Sequence, residues 1–212
     1  MHAIYTTSGF IIDSRPYGEA GKIFFIFTRD FGLVIATAQG IRLEKSKLRY
    51  HMQEYSFGTF SLVRGKEFWR LTNSDFSTDF KEVGERISLQ TSLITRNRIH
   101  HSGKQYELIA RLAFLLKRLL RGEEAHPELF DCVKVCAQFL INSTVISDEQ
   151  LKTLESITVL RIMHMLGYIG YDKSIDSLLK STDFSLELLD RSSDKRVIMN
   201  QHINKALRES HL

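Results

Sequence analysis

The stretch that decides the fold is Arg15–Arg49, RPYGEAGKIFFIFTRDFGLVIATAQGIRLEKSKLR. It holds two apolar runs, Lys22–Thr28 and Leu33–Ala38, joined by a short turn at Asp30-Phe31-Gly32. The first run is almost continuously apolar, as a strand covered on both faces should be. The second carries Ala and Thr among its larger residues, and small side chains let a strand curve tightly. Four cations follow directly, Arg42, Lys45, Lys47 and Arg49, on what reads as an exposed loop. A curved β-structure that hands the chain to a positive loop is a platform for an anion.

Working outward, Thr6–Ser14 is β-branched and apolar, and Arg15-Pro16-Tyr17-Gly18 supplies turn chemistry to end it. Glu54–Val63 and Phe68–Thr72 read as two more strands across a short connection at Arg64-Gly65-Lys66. In the first of these the apolar parity changes at Gly58, where a bulge is expected. Five short strands in about 75 residues predict a small barrel, with the OB-fold as the leading candidate. After Phe76 the period lengthens to that of helices. Tyr106, Ile109, Ala110, Ala113, Phe114, Leu116 and Leu120 predict the inward stripe of a long helix closed by Gly122. Pro127 opens the next, with Leu129, Phe130, Val133, Cys136, Ala137 and Leu140 inward. Ser147 and Gln150 form a capping box before a third helix that runs to about Leu166. Shorter helices are expected near Ile175–Leu179 and Lys195–Arg208, the last with Val197, Ile198, Ile203 and Leu207 inward. The predicted class is therefore α+β: a five-stranded barrel over residues 1–78, then an α-helical domain over 79–212.

Charge sharpens the division. Up to His126 there are 19 Lys and Arg against 13 Asp and Glu; from Pro127 onward there are 10 against 12. The barrel half is thus the half suited to a polyanion. Two cysteines, Cys132 and Cys136, are too few for a disulfide framework and read as reduced core thiols. No signal peptide or membrane-length apolar run is visible, so a soluble, cytoplasmic protein without membrane contact is expected.

The ordered set of short motifs resembles the RecO family of bacterial recombination mediators. The residues that carry it begin with Tyr17-Gly18-Glu19, Phe27-Thr28 with Phe31-Gly32, and Gly40-Ile41-Arg42. Lys45-Ser46-Lys47-Leu48, Phe57-Gly58 with Phe60, and the strand around Trp69 follow. Tyr106-Glu107-Leu108, Pro127-Glu128-Leu129-Phe130 and Leu166-Gly167-Tyr168 complete it. The resemblance implies an OB-fold beside a helical domain, and an ATP-independent protein that binds single- and double-stranded DNA and anneals complementary strands. It also implies two protein partners: RecR, and the single-strand-binding protein SSB, on whose coated DNA such a protein helps load recombinase. Many members carry a four-cysteine zinc site after the Leu-Gly-Tyr segment; Gly170–Asp190 has no cysteine here, so no metal or other cofactor is expected.

Candidate sites follow from chemistry. Successive phosphates need several flexible cations, which Arg42, Lys45, Lys47 and Arg49 supply, and Arg64, Lys66 and Arg70 would widen the patch. OB-folds add stacking rings for single strands, for which Tyr50, Tyr55, Phe57 and Trp69 are available, Tyr50 adjoining the cations. On the first long helix, Arg111, Lys117, Arg118 and Arg121 could edge an apolar groove for the acidic, hydrophobic tail of SSB. Catalytic signatures are absent: there is no phosphate-binding loop, and His100-His101 cannot share a helix face. A carboxylate pair at Asp172 and Asp176 is a weak basis for a nuclease metal site. The expected role is DNA binding and strand annealing without covalent chemistry. The alternatives are an OB-containing protein–protein adaptor that binds DNA only weakly, and a metal-dependent nuclease.

Overall fold

Residues 3–76, 102–143 and 145–210 are described by the computed structural model. The strands β1 (Ile4–Tyr17), β2 (Gly21–Thr28), β3 (Gly32–Ala38), β4 (Phe57–Val63) and β5 (Trp69–Phe76) close into a barrel in the order β1-β2-β3-β5-β4. Every neighbouring pair is antiparallel except β3 and β5, which run parallel. This five-stranded closed arrangement is that of the OB-fold. Its interior holds Phe24, Ile26, Val34, Ala36, Phe60, Leu62, Trp69 and Leu71, all buried.

The first strand differs from expectation at its far end. It runs through Arg15 and Pro16 to Tyr17, with Pro16 in register with Lys22. Pairing to β4 stops at Phe10, so beyond it β1 has a partner on one side only. A residue without an N–H fits such an edge. The turn proper is Gly18-Glu19-Ala20. The register irregularities fall elsewhere, in β1 between Ile11 and Asp13 and on the β4–β5 ladder between Ser61 and Leu62, while the pairing of β1 with β4 is unbroken through Gly58. Ile11 and Ile12, at the β1 bulge, are both buried.

The parity change at Gly58 has a different cause. β4 begins at Phe57 rather than Glu54, because Tyr55 sits at φ 65° and donates its N–H to the Ile11 carbonyl at 2.8 Å. Phe57 then faces away from the barrel interior and is buried in a stack with Phe10 at 4.4 Å between centroids, while Phe60 and Leu62 point inward. Gly58 pairs with Gly9, where an added Cβ would meet Phe60 and Ile26 at 2.8 Å. Two facing glycines make room for the Phe60 ring inside a narrow barrel.

Among the described residues the helices are α1 (Ser102–Leu119), α2 (Pro127–Asn142), α3 (Asp148–Met165), α4 (Asp176–Leu179), α5 (Leu186–Ser192) and α6 (Arg196–Glu209). The expected division at 78/79 lies outside the described residues. By packing, residues 1–127 form one unit and 128–212 another. Within the first, α1 packs on β1, and the loop after it meets the β2–β3 turn: Leu33 donates to the Gly122 carbonyl at 2.9 Å. Gly32 stands at φ 65°, and a Cβ on it would lie 2.1 Å from the Glu124 carbonyl oxygen, so only glycine fits. The inward stripe of α1 is Leu108, Ile109, Leu112, Ala113, Leu116, Leu119 and Leu120; Phe114, expected inside, is 69% exposed.

In the second unit α3 is central, and α4, α5 and α6 all pack on it. Both halves of the Ser147–Gln150 capping box are formed, and all six expected inward residues of α2 are buried. In α6 the buried set is Met199, Ile203 and Ala206, whereas Val197 and Ile198 face outward. The helix begins at Arg196, immediately after a 3-10 turn at Ser193–Lys195, and its apolar phase is set by contact with α3. The short α5, capped by the Ser185 hydroxyl on the Leu188 N–H at 3.1 Å, was not expected.

Candidate nucleic-acid interface

The basic stretch is fixed to the barrel by apolar residues set between its cations. Ile41 and Met52 are buried in the barrel core, and Leu48 packs against it from a 3-10 turn over Lys47–Tyr50. Where a free loop was expected, the chain is thus pinned at three points. Arg42, Lys45, Lys47 and Arg49 all remain exposed. The turn after β1 holds the near end of the stretch: the Arg42 N–H donates to the Ala20 carbonyl at 3.0 Å and its Nη1 to the Glu19 carbonyl at 3.2 Å. At the far end Gln53 donates to the Arg49 carbonyl at 2.9 Å. Cations pinned in this way lose less freedom on meeting phosphates than those on a floppy loop.

The β4–β5 cations divide. Arg64 is exposed but already engaged: its Nη2 donates to Glu123 at 3.0 Å and its guanidinium lies over the Trp69 ring at 5.4 Å. Lys66 is exposed in the connection, and Arg70 is exposed on β5, in register with Thr37 of β3.

Three of the expected stacking rings are committed to packing. Phe57 and Trp69 are only 3% and 4% exposed. The Trp69 indole N–H donates to Glu123 at 2.7 Å, and its ring meets Tyr5 and Phe31 at 5.5 Å. Tyr55 meets Tyr106 of α1 edge-on at 5.3 Å, and burial pushes both phenols above their ordinary pKa. Tyr50 ends the 3-10 turn beside Arg49. A ring that sequence reading passed over, Tyr17, is 49% exposed and stands edge-to-face with Phe68 at 6.1 Å. The position of Pro16 inside β1 was the missing signal, because Tyr17 read as part of a turn.

On α1 the four cations also part company. Lys117 turns toward the barrel, paired with Asp13 and 4.5 Å from the centre of the Phe25 ring. Arg111, Phe114 and Arg118 share the outer face at helical spacing, with Arg111 paired to Glu107 at 3.9 Å; Arg121 is exposed beyond the helix end.

Elsewhere the chemistry is that of a core. Cys132 and Cys136 are buried free thiols; burial raises both, Cys136 to about 12. Asp172 accepts from the Ser174 N–H at 2.8 Å, whereas Asp176 heads α4 and pairs with Lys180 at 2.6 Å. The two carboxylates therefore do not share a helical face. Among the described residues no cluster of His, Cys, Asp or Glu could hold a metal ion, and no helix is long and apolar enough to cross a membrane.

Residues 1–80 match the family model described as "Recombination protein O N terminal". Over this stretch the chain is similar to the N-terminal part of RecO proteins. It is 35% identical over 85 residues to the DNA repair protein RecO of Rubrobacter xylanophilus, a match that spans 40% of this chain and 34% of that one. It is 29% identical over 176 residues to DNA repair protein RecO of Clostridium perfringens, covering 82% and 62%. To the RecO of Dehalococcoides mccartyi it is 27% identical over 164 residues, covering 77% and 56%. Alignment to these RecO proteins spans about a third to three fifths of their length.

Proposed function

We propose that this chain is a RecO-type protein that acts in DNA repair and recombination by binding single- and double-stranded DNA and annealing complementary strands without ATP. The observation that carries the reading is the Arg42–Arg49 stretch. Four exposed cations lie within eight residues, pinned to the barrel by Ile41, Leu48 and Met52. Such a surface contacts phosphates and reads no base. It neutralises both strands at once and lowers their mutual repulsion, leaving sequence specificity to base pairing. Tyr50, Lys66 and Arg70 belong to the proposed contact surface, and Arg64 only secondarily, given its pairing with Glu123. The test is annealing of complementary oligonucleotides by parent protein and the Lys45→Glu, Lys47→Glu variant. Loss of annealing, with a flatter dependence of DNA affinity on salt, is the expected outcome; equal annealing and an unchanged salt slope would remove the stretch from the function.

A second, protein-docking element of the proposal is favoured by the outer face of α1. There Phe114 is 69% exposed between Arg111 and Arg118. An apolar ring flanked by guanidiniums suits an acidic peptide with hydrophobic residues, and the C-terminal tail of SSB is the proposed ligand. Lys117, held by Asp13, drops out of the set; Arg121 stays at its edge. RecR is the second proposed partner, engaged in loading recombinase on SSB-coated DNA. Binding of a labelled SSB-tail peptide should fall on Phe114→Ala and on Arg118→Glu. Retained binding in both variants rejects this face. Equal annealing with and without SSB would count against the mediator role.

A further inference from the structure

By register, one row of outward side chains crosses four strands of the barrel. Arg15 of β1 pairs with Ile23 of β2, Ile23 with Thr37 of β3, and Thr37 with Arg70 of β5. The flanking positions Phe24, Ala36 and Trp69 are buried in the core, so the row lies on the outer surface. Both ends of it are exposed arginines. On one side Lys117 closes over Asp13 and Phe25. Close by on the chain are Tyr17, two residues after Arg15, and Phe68, two before Arg70, and their rings meet edge-to-face at 6.1 Å with planes at 78°.

We propose that this outer face is a track for single-stranded nucleic acid, on which Tyr17 is the base-stacking ring, Phe68 its brace, and Arg15 and Arg70 the phosphate contacts. The proposal rests on the DNA-binding reading above and adds to it the group that distinguishes single strand from duplex. In an edge-to-face pair one ring presents its rim and the other a face. Whichever role Tyr17 has, Phe68 leaves at least one of its faces untaken. A half-exposed aromatic with an open face is what an unpaired base stacks on, and a base inside a duplex offers no face to it. Pro16 fixes the backbone immediately before the ring and biases Arg15 to extended geometry, so little freedom remains to be lost on binding. Two arginines at either end of the row supply the charge that a single strand requires, which an adaptor surface for a neutral apolar partner would lack.

The test is fluorescence anisotropy with the full chain and a dye-labelled oligothymidylate, against a labelled duplex of equal length. Tyr17→Ala should weaken single-strand binding about 5- to 150-fold, leave the slope of log affinity against log salt unchanged, and alter duplex binding no more than about twofold. Tyr17→Phe, which keeps the ring, should bind like the parent. Arg70→Glu should flatten the salt slope instead. Parent-like single-strand binding by Tyr17→Ala overturns the proposal, as does an equal loss on duplex. If the parent itself binds neither probe, the DNA-binding reading falls and this one with it. If the parent binds and only the Lys45→Glu, Lys47→Glu variant is weakened, the reading survives and the track does not.

Discussion

Arg161 offers the sharpest test of how the helical unit is held together. It is fully buried, the largest such side chain among the described residues. Its Nε donates to the Leu178 carbonyl at 2.8 Å, and its two terminal nitrogens reach the Asp183 carbonyl at 3.4 and 3.5 Å. The guanidinium also lies 4.5 Å from the centre of the Phe184 ring. Burial lowers its pKa, which states the opposing force: a charge taken out of water. In the single turn of α4 the Asp176 carbonyl accepts from the Lys180 N–H, whereas the Leu178 carbonyl, near the helix end, takes the Arg161 Nε, so Arg161 acts as a cap. Replacing Arg161 by Met removes the desolvation cost and keeps most of the volume. It also removes a charged hydrogen bond of about 1.5–3 kcal/mol and leaves the Leu178 carbonyl without its donor, at about 1–3 kcal/mol. Adding about 2 kcal/mol for the buried ring contact and subtracting several for the relieved charge, the net loss is about 2–4 kcal/mol. It should be local. Hydrogen exchange followed by mass spectrometry on the full chain should show protection of 176–189 reduced roughly 30- to 1000-fold, with β2 and β3 unchanged. Arg161→Lys should do no better, since a single ammonium cannot span both carbonyls. A Met variant as protected as the parent would mean that the buried charge costs as much as its contacts contribute, and that the cap is dispensable.

Three further outcomes follow from the packing. Gly9→Ala places a methyl 2.8 Å from Phe60 and Ile26 and should cost about 1–3 kcal/mol by overpacking, seen as a lower midpoint in urea unfolding of the barrel. Ser147→Ala breaks the capping box of α3 and should cost about 1 kcal/mol, read from exchange of the first turn of that helix; unchanged exchange would show the cap to be ornamental. Cys136, raised to about 12 from an ordinary 9.0, should resist thiol reagents at pH 8 in the native state and react fully in denaturant. Because the unfolded thiol loses its proton near 9 while the folded one keeps it, stability should decline as the pH rises from about 9 toward 12. A flat profile across that window would contradict the assignment.

The barrel was legible because its strands are apolar runs punctuated by turns, and Lys22–Thr28 and Leu33–Ala38 match β2 and β3 within a residue. Where the reading slipped, tertiary contact had overridden local pattern. Pro16 reads as a turn residue, yet it lies in a strand because β1 lacks a second neighbour there. Phe114, Val197 and Ile198 fit an apolar stripe as well as the residues that are buried, and nothing local decides which stripe is covered. Arg161 lies in the run Thr158–Met163, where a charged residue looks like the exposed face. Its burial depends on two carbonyls some 20 positions away, which no periodicity encodes. The basic stretch was legible as composition, but its seating was not, since Ile41, Leu48 and Met52 reach the core only in three dimensions.

Trp69 is the one tryptophan of the chain, and its indole is joined to Glu123, just beyond α1, while its ring closes on Tyr5 and Phe31. Its emission is therefore a built-in gauge of whether the segment after α1 is seated on the barrel end. A blue-shifted band should persist through a titration with oligonucleotide and move to the red on Glu123→Ala, so an optical signal already present in the chain can separate helix docking from ligand occupancy.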